Sequence, residues 1–119
     1  MIAGGSSHNG MPNFTTGVQI SGNTLTNNDT GVLLSNADLN AAGARIAPDT
    51  PTSNYVTGNT IRTSYAVASN DAGIRAAGGN GDRITGNVIS GYVTSAGMDV
   101  SIVITPQSVN TVVRGNTTS

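Results

Sequence analysis

Aspartates are the residues of this chain whose type suits acid–base chemistry. The sequence contains six Asp and no Glu, and two carboxylates about 5 to 10 Å apart can hydrolyse a glycosidic bond. Asp71, Asp82 and Asp99 are the weak candidates for such a pair. Asp71 and Asp82 stand in the turn contexts Ser-Asn-Asp and Asn-Gly-Asp, where an aspartate commonly caps its own backbone. The residues alone therefore assign no catalytic pair.

Several other chemistries are excluded by residue types that the chain lacks. It has no Cys and no Lys, which excludes disulfides, thiolate nucleophiles, cysteine-based zinc sites, P-loops and Schiff-base catalysis. The single histidine, His8, lies among Gly, Ser and Asn without an acidic neighbour and is interpreted as a loop residue. We expect no metal and no cofactor.

Charge and hydropathy exclude two classes of partner. A net charge of −1 with five scattered Arg lacks the basic footprint that nucleic-acid binding needs. No apolar run approaches the roughly 18 residues of a membrane span. We therefore expect neither nucleic acid nor membrane as a partner.

An internal repeat of the form apolar-x-Gly-Asn-x-apolar is the strongest pattern in the chain. Its four copies start at Ile20, Val56, Ile84 and Val113, and their glycines lie 36, 28 and 29 residues apart. Gly and Asn recur too often for helices, whereas β-branched residues form short runs between them. We predict an all-β chain with two or three short strands in each period. Only 38–46 has the composition for a helical turn.

A period of about 28 residues with short strands predicts a parallel β-solenoid, in which each strand pairs with its counterpart one coil away. The apolar residues of the repeat would face inward in two columns, Ile20, Val56, Ile84 and Val113, then Leu25, Ile61 and Ile89. A weaker repeat, Gly-apolar-x-apolar, predicts a column of Val32, Ile74 and Met98, with Leu34, Ala76 and Val100 beside it. The asparagines of the main repeat would hydrogen-bond in a ladder of Asn23, Asn59, Asn87 and Asn116.

These repeats, Ile-x-Gly-Asn-x-Ile followed by Gly-Ile-x-Leu, resemble those of the right-handed parallel β-helix proteins of the pectate-lyase-like superfamily. That superfamily includes pectate lyases, polygalacturonases, alginate epimerases and phage tailspikes. The resemblance covers 18–117 and implies a right-handed parallel β-helix of about three to four coils. It also implies a polysaccharide that lies along one parallel sheet, in a protein that is part of a virion or extracellular, such as a tailspike.

The repeat also predicts which residues would touch a ligand. Arg75 and Asp99 would point outward on neighbouring rungs, as part of a saccharide groove or as a solvated ion pair. Tyr92 is the third predicted contact, because aromatic rings stack on sugars and the chain offers only Tyr55, Tyr65 and Tyr92 as large polar aromatics.

The organisation of the chain leaves alternatives open. We expect a lead-in segment over 1–17, repeats over 18–119 and an insertion loop over 38–53. The absence of convincing caps on the outer coils favours a homotrimer or part of a longer chain. The first functional hypothesis is a module that binds or degrades polysaccharide. The alternative is a structural or trimerising stem without a ligand, and an ice-binding solenoid ranks lower because only one rung reads Thr-x-Thr.

Overall fold

The computed structural model describes residues 1–4 and 13–119, and this part of the chain is all-β without a helix. Its strands are short, from two to five residues, because Gly, Asn and Pro interrupt every run of β-branched residues. In chain order they are β1 (Ile2–Gly4), β2 (Gln19–Ser21), β3 (Thr24–Thr26), β4 (Val32–Asn36), β5 (Asp38–Leu39), β6 (Arg45–Ile46), β7 (Tyr55–Thr57), β8 (Thr60–Arg62), β9 (Ile74–Ala76), β10 (Gly79–Asn80), β11 (Arg83–Thr85), β12 (Val88–Ser90), β13 (Ile102–Ile104), β14 (Ser108–Val109), β15 (Val112–Arg114) and β16 (Thr117–Thr118).

Three four-stranded parallel sheets organise these strands. Sheet I has the order β1-β4-β9-β13, sheet II the order β2-β7-β11-β15 and sheet III the order β3-β8-β12-β16. Successive periods of the chain therefore add one strand to sheet II, then one to sheet III, then one to sheet I. A two-stranded parallel sheet, β10-β14, lies between the strands of sheet I and those of sheet II along the chain.

The pairing register confirms both columns predicted from the main repeat. Ile20, Val56, Ile84 and Val113 align across sheet II, and Leu25, Ile61 and Ile89 align across sheet III. The side chains of Val56, Ile61, Ile84 and Ile89 are fully buried. These β-branched residues form the core together with the inward residues of sheet I.

The column predicted for sheet I is partly wrong. Val32 and Ile74 pair as expected, but the third member is Ile102 and not Met98. Leu34 and Ala76 are likewise followed by Ile104 and not Val100. Met98 is exposed because it lies in the turn before this strand, whereas Val100 is buried just outside it.

The Gly-Asn pair of each repeat forms the corner between sheets II and III. Gly22, Gly58, Gly86 and Gly115 all have φ between 64° and 66°, a left-handed conformation that glycine adopts without steric cost. In the ladder that follows, each asparagine Nδ2 donates to the Oδ1 of the next asparagine. The distances are 3.1 Å from Asn23 to Asn59, 2.9 Å from Asn59 to Asn87 and 2.9 Å from Asn87 to Asn116.

A second corner with the same construction precedes sheet II, and the sequence repeat does not reveal it. Its left-handed residues are Gly17, Ser53, Gly81 and Asn110, with φ between 48° and 75°. Two of the residues that follow these corners, Asn54 and Asp82, are buried and accept a hydrogen bond from the preceding period. The backbone N–H of Val18 donates to Asn54 Oδ1 at 2.9 Å, and that of Asn54 donates to Asp82 Oδ1 at 2.8 Å.

The segment 38–46 forms a β-hairpin, so the expectation of a helical turn there is wrong. Strands β5 and β6 pair antiparallel, and the Asn40 side chain accepts hydrogen bonds from the backbone of Ala42 and Ala44 to close the turn. Gly43 supplies the left-handed residue at φ 78°. Strand β1 of the lead-in segment pairs with β4, so that this segment begins as part of sheet I.

Candidate functional site

Three aspartates occupy equivalent positions in successive periods at the corner that leads into sheet I. Asp29, Asp71 and Asp99 each lie three residues before the aligned residues Val32, Ile74 and Ile102. Neighbouring strands of a parallel sheet are about 4.8 Å apart, so that the three aspartates form a row with roughly that spacing along one edge of the molecule. We call Asp29, Asp71 and Asp99 the aspartate row. Two of its members are predicted catalytic candidates, and Asp29 is new.

Hydrogen bonds hold the members of the row in place. Thr30, directly after Asp29, donates through Oγ1 to Asp71 Oδ1 at 3.1 Å. Asp99 Oδ1 accepts the backbone N–H of Ser101 at 2.8 Å. Asp29 and Asp99 are exposed and Asp71 is half-buried, so all three carboxylates keep access to solvent and to a ligand.

Tyr65 places an aromatic ring beside the row. Its hydroxyl lies 2.8 Å from the Asn27 carbonyl oxygen and 3.1 Å from Asp29 Oδ1, and 41% of the residue is exposed. Partial burial, the hydrogen bond to Asp29 and the negative charge of that carboxylate raise the pKa of Tyr65 above its ordinary value. The phenol therefore stays neutral at physiological pH, and its ring and hydroxyl serve in contact and hydrogen bonding rather than as a base.

An open groove of about 290 Å³ reaches Ser64, the residue before Tyr65, and its walls come from sheet III and the turns that follow it. Its lining residues are Thr26, Asn27, Arg62, Thr63, Ser64 and Ser90. The backbone N–H of Ser64 donates to Asn27 Oδ1 at 3.0 Å, which fixes one wall. Arg62 Nε lies 3.4 Å from Thr26 Oγ1, and both residues line the groove.

The predicted juxtaposition of Arg75 and Asp99 is wrong. Arg75 pairs with Leu33 on one side and with Val103 on the other. Asp99 lies outside the strand, in the turn before it, at the position equivalent to Asp71. The two residues are therefore not on neighbouring rungs of one outward column, and Arg75 lies on sheet I away from the groove residues on sheet III.

Tyr92 and Asp82 are both buried, which corrects their assignment as ligand-contacting or catalytic candidates. Tyr92 is fully buried, and its hydroxyl donates to the Asn28 carbonyl oxygen at 2.9 Å. Burial is also the main reason that the pKa of Tyr92 is raised. Asp82 Oδ1 accepts hydrogen bonds from the Thr52 hydroxyl and the Asn54 backbone. Neither side chain reaches the surface, so both act within the core.

The pKa of Asp99 argues against one catalytic role. Hydrogen bonds from the Ser101 side chain and backbone lower the pKa of Asp99 below its ordinary value, against a smaller opposing effect of desolvation. A general acid for glycoside hydrolysis needs a raised pKa. Asp99 is therefore a hydrogen-bond acceptor in the row rather than a proton donor.

The described residues contain no group of three or more His, Asp or Glu placed to hold a metal ion. The aspartate row is consistent with this finding, because its members lie along an edge rather than around a point. His8 falls outside the described residues. Within the described ranges, no helix has the length and apolar character needed to cross a membrane.

The outer face of sheet III carries hydroxyl side chains in two rows, the feature on which the ice-binding alternative depends. One row reads Thr24, Thr60, Val88 and Thr117. The other reads Thr26, Arg62 and Ser90. Val88 and Arg62 interrupt the rows in the central strands, so this face does not present a regular threonine array.

Three residues of the site, Asp29, Arg62 and Tyr65, were not predicted from the sequence. One signal for the row is present in the sequence, since Asn-Asp-x-Gly occurs both at 28–31 and at 70–73. Another is that Asp71 and Asp99 each follow the glycine of their repeat by 13 residues. The groove residues Thr26, Arg62 and Ser90 likewise share one position of the main repeat, four residues after its glycine, but their differing residue types hide the groove in the sequence.

Comparison of the chain with protein-family models, with curated proteins and with solved structures finds no match. The geometry of the site therefore carries the functional proposal.

Proposed function

We propose that the chain is a right-handed parallel β-solenoid that binds a neutral polysaccharide along the aspartate row and the adjacent groove. The repeated order of sheets II, III and I along the chain supports the solenoid, as does the nearly constant offset between the paired strands of the later periods. Strands β7 and β11 are offset by 28 residues and β11 and β15 by 29. Each period then makes one coil.

The observation that carries the functional part is the juxtaposition of Tyr65 with Asp29 and Asp71 at the edge of the groove. Carboxylate oxygens accept hydrogen bonds from sugar hydroxyls, and an exposed aromatic ring packs against the apolar face of a pyranose. Arg62 and the hydroxyl groups of the groove add hydrogen-bond donors for the bound sugar. The combination offers an acceptor, a platform and a donor within one short surface.

The row selects for a neutral ligand that repeats along a line. Three carboxylates on one edge repel a polyanion, whereas the hydroxyls of a neutral sugar chain can donate to each carboxylate in turn. Because the coils repeat the same position, a polymer that runs parallel to the stacking direction meets Asp29, Asp71 and Asp99 in succession. A polysaccharide fits this linear arrangement better than a small molecule does.

Binding to immobilised dextran, mannan and galactan tests the proposal. We expect the chain to bind at least one of these polymers, and Tyr65→Ala to weaken that binding by about fivefold or more, since a stacking contact is worth roughly 1 kcal/mol or more. Asp71→Asn should also weaken binding, because an amide is a poorer acceptor than a carboxylate. Thr117→Ala on sheet III is the matched control and should bind as the wild type does.

Two results decide against the proposal. If no neutral polymer binds, or if Tyr65→Ala binds as tightly as Thr117→Ala does, the site is not a saccharide site. A parallel assay for new reducing ends addresses the reaction. Release of reducing ends that is lost in Asp71→Asn would extend the proposal from binding to hydrolysis.

A structural stem is the second candidate, and the two inward-facing ladders favour it. The first ladder joins Asn23, Asn59, Asn87 and Asn116, and the second joins Asn54 to Asp82, so that successive periods are fixed to one another at two corners. Such cross-linking suits a rigid rod. Light scattering of the purified chain tests this alternative, because a stable trimer without saccharide binding would favour it. That the protein is located on a virion or outside the cell stays a prediction.

A further inference from the structure

Buried polar atoms without a hydrogen-bond partner are concentrated at one place, the second corner, which precedes sheet II. Among the described residues, these atoms are Asp82 Oδ2, Ser108 Oγ and Thr111 Oγ1. Asp82 follows the left-handed residue of the corner in one period, and Ser108 and Thr111 flank that residue in the next period. Folded proteins leave few buried polar groups unpaired, because each costs free energy. Three such atoms at one corner therefore indicate a binding site rather than scattered packing defects.

The pairing register brings the three atoms to the same side of the corner. Asp82 and Thr111 hold equivalent positions directly before the paired strands β11 and β15, so their Cα atoms lie about 4.8 Å apart. Ser108 pairs with Gly79, and Asp82 Oδ2 occupies the space that a Cβ atom at Gly79 would fill. Paired residues of a parallel sheet direct their side chains to the same face. The Ser108 hydroxyl therefore lies on the same side as Asp82 Oδ2, one strand further along the stack.

The buried carboxylate of Asp82 has no cationic hydrogen-bond partner in the described part of the chain. Asp82 is 1% exposed, and its partners, the Thr52 hydroxyl and the Asn54 backbone N–H, are neutral and both bind Oδ1. Arg83 follows Asp82 directly, but its side chain is exposed and lies over the Tyr55 ring, 5.9 Å from the centroid. Because desolvation of a charge is costly, a buried charge is ordinarily paired or bound to a metal ion.

We propose that the second corner binds one monovalent metal cation between Asp82 Oδ2, Ser108 Oγ and Thr111 Oγ1. Carboxylate and hydroxyl oxygens are hard donors, and hard cations prefer oxygen ligands. One positive charge balances the single carboxylate, whereas a divalent ion would leave an excess of buried charge. The described residues also contain no group of three His, Asp or Glu placed around a point, the type of donor set that divalent ions favour.

This inference concerns the interior of the protein and does not depend on the proposed saccharide site. Asp82 and Thr111 belong to successive periods, so the cation joins one period to the next and its binding free energy contributes to folding. Without a metal ion the Asp82 carboxylate is uncompensated, and Asp82→Asn should be the more stable protein. With the ion, the wild type gains stability that this variant cannot gain.

Urea unfolding in NaCl, KCl or choline chloride at equal ionic strength tests the inference, because choline is too large to enter the corner. The wild-type midpoint should rise with the concentration of Na⁺ or K⁺. At ten times the dissociation constant, the ratio of folded to unfolded chain should be about elevenfold higher than in choline. This difference between the salts should disappear in Asp82→Asn. Ser108→Ala and Thr111→Val each remove one ligand and should respond less than the wild type does.

Asp49→Asn is the matched control, because it removes an exposed carboxylate by the same substitution and should keep the full response. Amide chemical shifts locate the ion, since exchange of choline for the stabilising cation should move the signals of Gly79, Asp82, Ser108 and Thr111. Equal wild-type midpoints in all three salts, a full response in Asp82→Asn, or an equal loss in Asp49→Asn would each overturn the inference. Shifts confined to the aspartate row would also overturn it.

Discussion

Replacement of Asp82 by asparagine tests the second ladder, because one oxygen of this buried carboxyl group has no hydrogen-bond partner in the described part of the chain. Oδ1 accepts hydrogen bonds from Thr52 Oγ1 at 2.7 Å and from the Asn54 backbone at 2.8 Å. Among the described residues, Oδ2 has no hydrogen-bond partner, and it occupies the space that a Cβ atom at Gly79 would fill. An amide in the same position keeps both acceptor contacts of Oδ1 and replaces the unpaired oxygen with a donor.

The other members of the ladders indicate where that donor would go. Asn54 Nδ2 donates to Thr15 O and Asn59 Nδ2 donates to Ile20 O, each 39 residues back. One period later, Asn87 Nδ2 donates to Val56 O, 31 residues back. The equivalent acceptor for an amide at position 82 is the carbonyl oxygen of Pro51. We therefore expect Asp82→Asn to complete the second ladder.

An unpaired buried polar atom costs about 1–3 kcal/mol, so Asp82→Asn should raise the free energy of unfolding by about that amount. With a urea m-value of roughly 2 kcal/mol/M, the midpoint of unfolding should rise by about 1 M. Asn87→Asp is the matched reverse change. It removes donors to Val56 O and Asn116 Oδ1 and should lower stability by about 3 kcal/mol. Reduced or unchanged stability of Asp82→Asn would refute this reasoning.

Three further predictions concern stability. Ile61→Asp buries an unpaired charge at a fully buried position and should abolish folding, as measured by circular dichroism. Asp99→Ala should melt close to the wild type at pH 7. A folded Ile61→Asp beside an unfolded Asp99→Ala would contradict the register. The pKa of Asp99 is lowered from 3.8. The Asp99 carboxylate therefore makes a small contribution to stability above that value, and this contribution is lost as pH falls through the lowered pKa. The melting temperatures of Asp99→Ala and the wild type should converge in acid. Gly73→Ala places a Cβ atom 2.5 Å from Ile89 Cγ2 and 2.6 Å from Ser101 O. This substitution should lower the free energy of unfolding in urea by about 1–3 kcal/mol. An unchanged urea midpoint would contradict this close packing around Gly73.

The sequence predicts the fold where the number of residues between one strand and the next is the same in every repeat. In each main repeat, a three-residue strand precedes the Gly-Asn corner and a strand of two or three residues follows it, so the position of Gly58 or Gly86 sets the register of both strands. The register of sheet I could not be predicted in the same way. Five residues separate β3 from β4, but eleven separate β8 from β9. Gly97 also matches the first residue of the weaker repeat in sequence, although it does not align with Gly31 and Gly73 in the structure.

The candidate site was predicted less well than the fold, and for a physical reason. Its residues come together across periods, through pairing between strands, and not along the chain. Asp71 and Asp99 could be named from their residue type, yet their alignment with Asp29 depends on the register of sheet I. Tyr92 shows the converse, because its size and polarity suggested a surface contact while the space above Gly31 and Gly73 admits its ring to the core.

Titration of the isotopically labelled chain with a neutral oligosaccharide, followed by amide chemical shifts, tests the central claim most directly. We expect the shifts to concentrate at Asn27, Asp29, Arg62 and Tyr65 and to leave the outer face of sheet II unchanged. Shifts from the neutral ligand that fall on sheet II, or none anywhere in the chain, would contradict the proposed saccharide site.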